Sequence, residues 1–255
     1  MMKKKILKKI LKIFTPKIIL KKRRNYLSNQ KKIKYKKLTI KEVFNNIYHS
    51  AEWGKSKNPE QKFFSGEGSS NISIVSKYID GVNIFLESFS SKPDVVDLGC
   101  GDFLVGSKIR PLIDSYIACD IVAPLIEYNK KKYQTLNVDF RTLDLTHDNL
   151  PSGDVVFIRQ VLQHLSNIDI KKIVPKLAQN YNYLVLTEHL PIIENFTHNL
   201  DTYTGPETRL NSDSGVVLTS PPFNLEVEDE KIMLKVLSEG GYITTTIYKL
   251  KTYNV

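Results

Sequence analysis

The sequence predicts an α/β protein with a seven-stranded, mostly parallel sheet, helices on both faces and an N-terminal helical extension. A short apolar run at 95–98 is followed at once by Gly99 and Gly101 and then by a segment of helical periodicity. Four further short apolar runs follow, with helical segments predicted after the second and the fourth strand, as is typical of a parallel sheet. Gly240 and Gly241 separate the last two apolar runs, which is typical of a closing antiparallel hairpin.

The positive charge of the chain is concentrated at its N-terminus. The 255 residues carry a net charge of +10, yet residues 1–41 hold 17 Lys and Arg and no acid. The remainder holds 37 − 17 = 20 basic residues against 27 acidic ones, a net of −7. An acidic body repels nucleic-acid phosphates, so the sequence argues against tracking of DNA or RNA by the body.

Residues 1–37 form a basic arm. Within 1–20, apolar residues recur every three or four positions and lysines occupy the other positions. No apolar run there approaches the roughly 20 residues that span a bilayer. We predict an amphipathic helix on an anionic membrane surface. A solvated tail and a helix docked on the acidic body are the alternatives, and Tyr26 and Tyr35 among the basic residues leave RNA contact open.

Cysteine usage indicates a reducing compartment. Cys100 and Cys119 each fall at the predicted end of a strand, and no Cys-x-x-Cys spacing suggests a metal site. The arm also lacks the apolar core and small-residue cleavage site of a secretory signal. We therefore expect a cytoplasmic protein without a metal, which the arm could hold at the inner face of the cytoplasmic membrane.

Residues 38–90 are predicted to form an N-terminal helical cap. One helix is expected near residues 38–48 and another over 72–89, with Trp53 between them. The glycine turn at 65–69 contains serines suited to cap the second helix. The turn is either a loop with a helix cap or, together with Trp53, a lid over a ligand.

Strand, glycine turn and helix over 95–113 resemble the start of a nucleotide-binding unit. Leu104 stands where a nicotinamide-binding motif has its third glycine, which weakens that interpretation. Asp120 ends the second strand, 19 residues after Gly101, near the spacing at which an acid binds both ribose hydroxyls. Capping of the helix predicted over 123–133 is the alternative for Asp120.

The next two strands are predicted over 138–143 and 154–158. The second leads into Arg159 and a helical turn that would place Gln160, Gln163 and His164 on one face. That face should look into the cleft, because ligands bind beyond the carboxyl ends of parallel strands.

The fifth strand is expected over 183–187, with Glu188 and His189 at its cleft end. Residues 190–215 form a long polar segment that we expect to be functional. The segment 220–224 follows and is interpreted as part of an acceptor loop. Strands over 231–237 and 242–250 then close the sheet.

The run Asp97-Leu-Gly-Cys-Gly-Asp102 resembles motif I of the class I S-adenosylmethionine (SAM)-dependent methyltransferases. A bacterial branch of that family, often encoded with surface-glycan genes, is similar over about residues 40–250. The similarity lies in Trp53-Gly54, the segment 65–69, the segment 97–103 and Pro-Pro-Phe-Asn at 221–224. The chain departs from that branch at Gly99, where proline is common.

The resemblance implies a Rossmann-like class I methyltransferase domain over residues 91–255 with SAM as its cofactor. It implies that Asp144 meets the adenine amino group and Leu145 the adenine face, a turn role being the alternative for Asp144. The predicted cofactor residues are Trp53, Ser65, Asp97, Gly99, Cys100, Gly101, Asp120, Ile121, Asp144, Leu145, Arg159 and Gln160.

The resemblance further implies O-methylation of a capsular or lipopolysaccharide sugar, or of its phosphoryl or phosphoramidate decoration. A sugar hydroxyl is a weak nucleophile, so a general base is expected, with His164 ranked first and His189 and Glu188 as further candidates. Arg159 or Arg209 could hold an anionic group. An RNA or small-molecule methyltransferase and an inactive membrane-tethered scaffold of the same fold are the alternatives.

Overall fold

The computed structural model describes residues 30–251 and divides into two compact units between Thr39 and Ile40. In the first unit, residues 30–35 are helical. The amphipathic helix predicted within 1–20 lies outside the described residues. All elements that follow belong to the second unit.

Three helices precede the sheet: α1 (Ile40–His49), the single turn α2 (Glu67–Ser70) and α3 (Ile72–Glu87). The N-cap of α3 is Asn71, whose side-chain oxygen accepts the N–H of Ser73 at 3.0 Å. The prediction that a serine caps this helix was therefore wrong. Asparagine is as good a cap as serine, because its short side chain also reaches the free N–H groups of the first turn.

Seven of the nine strands within residues 40–251 form one sheet in the order β3-β2-β1-β4-β5-β9-β8. The first five strands of this sheet are parallel, and β9 joins β5 antiparallel and forms the predicted hairpin with β8. The strands are β1 (Val95–Leu98), β2 (Tyr116–Asp120), β3 (Asp139–Thr142), β4 (Val155–Arg159), β5 (Tyr183–Pro191), β6 (Thr197–His198), β7 (Ser214–Gly215), β8 (Val227–Ser238) and β9 (Gly241–Leu250). The predicted seven-stranded, mostly parallel α/β fold is confirmed.

Helices connect β1 to β2, β2 to β3 and β4 to β5, whereas the 143–154 segment between β3 and β4 has no helix. The helices are α4 (Gly106–Ile109), α5 (Ala123–Lys132) and α6 (Asn167–Asn180), with 3₁₀ turns at Arg110–Leu112, Leu162–His164 and Arg209–Ser212. The single helix predicted over 103–113 is broken into α4 and a 3₁₀ turn. Phe103 has a left-handed φ of 57°, and Pro111 lacks the N–H that a continuing helix needs.

An apolar core lies on each face of the sheet. One packs α6 against residues such as Leu184 and Leu186, and the other packs α3 against residues such as Phe157 and Val185. Phe223 is buried in the α6 core and anchors the segment 220–224 there, and the interpretation of this segment as part of an acceptor loop stays a prediction. The two cores fix the strands so that β1, β2, β4 and β5 present their carboxyl ends at one edge.

Candidate active site

A cavity of about 440 Å³ lies at the carboxyl edge of the parallel strands. One half is formed by the turns after β1, β2 and β3 together with the 65–69 turn. The other half is formed by α1, Trp53, the turn after β4, the end of β5, the 206–210 loop and the β8–β9 turn. We call these the glycine half and the aromatic half.

Gly99 and Gly101 give the turn after β1 its shape. Both have left-handed backbones, with φ of 80° and 54°, where other residues are strained. A Cβ on Gly99 would collide with Val161, and one on Gly101 would lie 2.5 Å from the hydroxyl of Ser65. These glycines therefore let the turn after β4 and the 65–69 turn approach β1 closely.

Asp120 lies buried at the end of β2 and lines the glycine half. Its Oδ2 accepts the N–H of Gly101 at 3.1 Å, and its Oδ1 accepts the N–H of Val122 at 3.0 Å. Burial raises its pKa to about 6, although these hydrogen bonds favour the carboxylate. Each oxygen keeps a second lone pair, so the fixed carboxylate can still accept from ligand hydroxyls.

Asp97 and Arg159 lie in the same cavity wall, at the ends of β1 and β4. Burial raises the pKa of Asp97 to about 7, while the hydroxyl of Tyr116, 3.1 Å from its Oδ2, and the charge of Arg159 oppose the shift. The guanidinium of Arg159 lies over the ring of Tyr78, and its Nε is buried without a hydrogen-bond partner. A buried acid and a buried base with spare hydrogen-bonding capacity suit a ligand that carries both an ammonium and a carboxylate.

The 65–69 turn is tied to the cavity from both sides. The hydroxyl of Ser65 accepts the N–H of Asp102 at 3.1 Å and lies 3.1 Å from that of Tyr48. Gln160 donates to the carbonyl of Gly68 at 3.1 Å. Gln160 has a φ of 57°, so the prediction that it shares a helical face with Gln163 and His164 was wrong.

Asp144 lies in the wall beyond β3, next to Leu145. Its Oδ1 accepts from the backbone N–H and the hydroxyl of Thr146, at 2.8 and 2.7 Å. The hydrogen bonds from Thr146 and His147 outweigh partial burial and lower its pKa. Asp144 thus closes a turn, and the alternative of adenine contact stays a prediction. Cys100 and Ile121 also line this half.

Trp53 dominates the aromatic half. Its Nε1 donates to the carbonyl of Pro206 at 3.1 Å, and its ring lies 4.9 Å from that of His164 and 5.4 Å from that of Tyr48. Phe44 packs beside it at 6.2 Å. The wall is completed by apolar groups at Ile40, Leu165, Pro206 and Leu210. This half is therefore suited to the face of a ring.

Gln163 joins the two histidines of this half. Its Oε1 accepts the backbone N–H of His189 at 3.0 Å, which fixes the orientation of the amide because a backbone N–H can only donate. The Nε2 of Gln163 then donates to the Nε2 of His164 at 3.3 Å. Burial lowers the pKa of His164 to about 4, so its ring is neutral and carries its proton on Nδ1.

One ring nitrogen of His189 makes no hydrogen bond. His189 lines the cavity, and its Nε2 is buried without a hydrogen-bond partner, as is Nδ1 of His164. Burial lowers the pKa of His189, so the neutral ring prevails at pH 7. Nε2 of His164 is engaged by Gln163, whereas Nε2 of His189 is not engaged by a hydrogen bond. The ranking of His164 above His189 as a base stays a prediction.

Glu188 lies outside the cavity wall. It is buried on the α6 face of β5, and burial raises its pKa to about 8 against the charge of Arg209. The N–H groups of Leu162 and Gln163 also favour its carboxylate, but neither oxygen has a partner of hydrogen-bond geometry. The structure thus contradicts the candidacy of Glu188 as a base, since neighbours on a strand face opposite sides.

Arg209 does not reach the cavity as an anion holder. Its guanidinium donates to the carbonyls of Leu200, Leu162 and Leu165 and to Oδ1 of Asn167, at 3.1, 3.1, 2.7 and 2.9 Å. It is 3% exposed, so these bonds hold the 200–209 loop against the turn after β4. The prediction that Arg209 could bind a phosphate was wrong.

Several wall residues were missed by sequence reasoning. Phe44 and Ile40 were assigned to a helix but not to the site, and Pro206, Leu210 and Glu239 lie in a loop and a hairpin turn without a motif. Within residues 30–251, no group of His, Cys, Asp and Glu side chains could hold a metal ion. Every helix in this part of the chain is too short or too polar to cross a membrane.

Comparison with known proteins places the sheet among characterised folds. Residues 95–181 match a family model described as a methyltransferase domain. No curated protein matches the chain. Magnesium protoporphyrin IX methyltransferase (ChlM) from Synechocystis PCC 6803, solved with bound SAM, aligns with a TM-score of 0.54 at 14% identity, over 84% of this chain and 98% of that one. N-methyltransferase NodS from Bradyrhizobium japonicum WM9, solved with S-adenosyl-L-homocysteine, aligns with a TM-score of 0.56 at 11% identity, over 80% and 98%.

Proposed function

We propose that this SAM-dependent methyltransferase of the class I fold transfers a methyl group to a hydroxyl of a sugar in a capsular or lipopolysaccharide glycan. The observation that carries the proposal is the aromatic half of the cavity, where Trp53 lies 4.9 Å from the ring of His164 and where His189, whose Nε2 has no hydrogen-bond partner, lines the same wall.

The glycine half suits the cofactor. Asp120 is fixed by two backbone N–H groups at the end of β2, where a carboxylate can accept from both ribose hydroxyls. Asp97 and Arg159 provide opposite charges for the ammonium and carboxylate of the methionine portion. Asp144 and Leu145 lie beyond β3, where the adenine is expected. When bound, SAM supplies an electrophilic methyl group on a positively charged sulfur.

The aromatic half suits an uncharged ring as the acceptor. A sugar presents apolar C–H groups on one face, which pack on aromatic rings, and hydroxyls at its edge. In the described wall Arg159 is the cationic side chain, and it lies toward the glycine half. The N–H groups of Arg209 donate to backbone carbonyls and to Asn167, so this side chain is not available to bind an anion. A hydroxyl acceptor is therefore favoured over a phosphoryl or phosphoramidate acceptor.

His189 is proposed as the general base. Its neutral Nε2 takes the proton as the sugar oxygen bonds to the methyl group, and such catalysis contributes about 10²- to 10⁴-fold. Gln163 positions His189 because its side-chain oxygen accepts the backbone N–H of His189. His164 already accepts a hydrogen bond at Nε2, so it supports Trp53 and Gln163 and does not act as the base.

Two measurements test the proposed function. Titration calorimetry with SAM tests the cofactor site, and a scaffold that has lost the reaction should fail there or in turnover. Mass spectrometry of the surface glycan from cells with and without the gene tests the acceptor. We expect a sugar fragment lighter by one methylene group in cells that lack the gene; an unchanged glycan would refute the assignment.

A further inference from the structure

The side chain of Tyr48 lies at the boundary between the two halves of the cavity. Tyr48 stands in α1, and its ring packs edge-on against those of Trp53 and Phe63, with centroids 5.4 and 5.9 Å away. Its hydroxyl reaches the glycine half, where it lies 3.1 Å from Oγ of Ser65 and would lie 3.5 Å from a Cβ on Gly101. Tyr48 therefore contacts the aromatic wall through its ring and the glycine turn through its oxygen.

The hydroxyl oxygen of Tyr48 keeps a lone pair for a ligand. Oγ of Ser65 accepts the N–H of Asp102 at 3.1 Å, and a second hydrogen bond joins it to Tyr48. If Ser65 donates to Tyr48, one lone pair of the Tyr48 oxygen stays free, and if Tyr48 donates, both do. Within residues 30–251, Ser65 is the one hydrogen-bond partner of this oxygen. Tyr48 and Gly101 both line the cavity, so a ligand at this turn is within reach of the free lone pair.

The surroundings of this hydroxyl are negative. Burial raises the pKa of Tyr48 well above its ordinary value, and the charges of Asp120 and Asp102 raise it further, against the hydrogen bond with Ser65. The hydroxyl is therefore neutral at pH 7 and lies near two carboxylates. Such a place favours a positive group, and an oxygen lone pair accepts weak hydrogen bonds from C–H groups that the charge polarises.

SAM and its product S-adenosylhomocysteine (SAH) differ only at the sulfur, where SAM carries a methyl group and a positive charge. Asp120, Asp97 and Arg159 are assigned to the ribose, the ammonium and the carboxylate, which both molecules share. With the cofactor in the glycine half and the acceptor in the aromatic half, the methyl group must cross the boundary at which Tyr48 lies. A neutral oxygen in negative surroundings at this boundary can distinguish the two molecules.

We propose that the hydroxyl oxygen of Tyr48 contacts the sulfonium end of SAM and holds its methyl group toward the aromatic half. As the acceptor oxygen bonds to the methyl carbon, the carbon–sulfur bond breaks, its electron pair stays on sulfur and the acceptor proton passes to His189. Tyr48 neither gains nor loses a proton; it orients the cofactor and favours SAM over SAH. This role rests on the cofactor site of the proposed function and is independent of the nature of the acceptor.

Calorimetric titration of the purified full chain with SAM and with SAH tests this role. The variant is Tyr48→Phe, which removes the oxygen and keeps a ring against Trp53. The matched control is Tyr181→Phe, which also loses one hydroxyl and one hydrogen bond, to the carbonyl of Pro151, but lies in the α6 core and not in the cavity wall. The readout is the dissociation constant of SAH divided by that of SAM, because general damage to the site changes both constants together.

We expect Tyr48→Phe to lower this ratio at least about threefold, the size of effect that the loss of a weak C–H···O contact produces. Tyr181→Phe should leave the ratio at the wild-type value. A ratio that Tyr48→Phe does not change, even if both constants weaken, would overturn the inference, because Tyr48 would then only support the 65–69 turn. An equal change in Tyr181→Phe would also overturn it, as would a wild-type chain that binds neither molecule. Failure of the glycan test, by contrast, refutes the acceptor and leaves this ratio as it is, which separates the two failures.

Discussion

The side chain of Gln163 accepts the backbone N–H of His189 at 3.0 Å and thereby turns its amide N–H groups toward the ring of His164. With its oxygen engaged, Gln163 can offer only its amide N–H groups to His164, whose Nε2 lies 3.3 Å away. His164 then accepts at Nε2 and carries its proton on an unpartnered Nδ1, while Nε2 of His189 has no hydrogen-bond partner. The account of the reaction rests on this arrangement.

Replacement of His189 by Gln should lower turnover by at least about a hundredfold while SAM affinity stays nearly unchanged. Glutamine fills a similar space but cannot take a proton, so the loss falls on the transition state. Steady-state kinetics and calorimetry on the same preparation provide the two readouts. His198→Gln is the control, since His198 is exposed and bonded to Ser220 away from the cavity. Near-normal turnover of His189→Gln would exclude it as the base.

The pH dependence follows from the burial of His189. Burial lowers its pKa below the ordinary value of 6.5, and the base works only in its neutral form. The rate should therefore be level near pH 7 and fall as the pH drops through a midpoint below 6.5. A profile of turnover against pH provides the test. A midpoint clearly above 6.5 would contradict the assignment, because protonation would then be favoured by the site and not opposed.

Replacement of Asp120 by Ala should weaken SAM binding by about 1–3 kcal/mol, the cost of leaving hydrogen-bonded partners unsatisfied. Alanine removes the carboxylate that accepts hydrogen bonds from two backbone N–H groups and that is proposed to accept from the ribose hydroxyls of SAM. Calorimetric titration of SAM measures the effect. Asp114→Ala offers a comparison, because Asp114 is exposed at the other end of β2. An unaltered affinity for Asp120→Ala would remove it from the cofactor site.

Replacement of Arg159 by Gln should weaken binding of SAM more than binding of decarboxylated SAM. The reason is that the buried guanidinium is proposed to pair with the carboxylate that the analogue lacks. The ratio of the two dissociation constants, wild type against variant, isolates this contact from general damage to the wall. A ratio that the substitution leaves unchanged would place the carboxylate elsewhere.

Glu188 should make the fold less stable as the pH rises. Its pKa is raised by burial from 4.5 to about 8, so the folded state keeps a proton that the unfolded chain loses between these values. Stability contributed by this group is thus lost from pH 4.5 upward and levels off above pH 8. Glu188→Gln should melt near the wild-type temperature at pH 4.5 and higher at pH 8, by about 2–4 °C per kcal/mol relieved. A variant that melts lower at pH 8 would show that the carboxylate is stabilised by Arg209.

The sequence predicted the framework of the fold because its signals are local. Short apolar runs ending at Gly99, Asp120 and Glu188 define strands without reference to the rest of the chain. The glycine half was predicted from the same kind of signal, because a glycine turn and an acidic residue at a fixed spacing can be read directly from the sequence.

The aromatic half could not be predicted in this way. Its wall is assembled from α1, Trp53, the 206–210 loop and the β8–β9 turn, which tertiary packing brings together. The hydrogen bond from the backbone N–H of His189 to Gln163, which motivates the proposal of His189 as the base, joins residues 26 positions apart and is likewise a tertiary contact. Phe103 and Gln160 adopt left-handed backbones that helical periodicity does not reveal. For this reason the helix predicted over 103–113 begins only at Gly106, and the helical turn after β4 excludes Gln160.

The most direct test of the proposed function is an assay of the purified full chain with SAM that carries a deuterated methyl group and the isolated surface glycan. The account predicts a sugar hydroxyl that gains the deuterated methyl in a reaction that depends on His189 and produces S-adenosylhomocysteine. Tight SAM binding without any labelled sugar, when the glycan is taken from cells lacking the gene, would contradict the proposed acceptor.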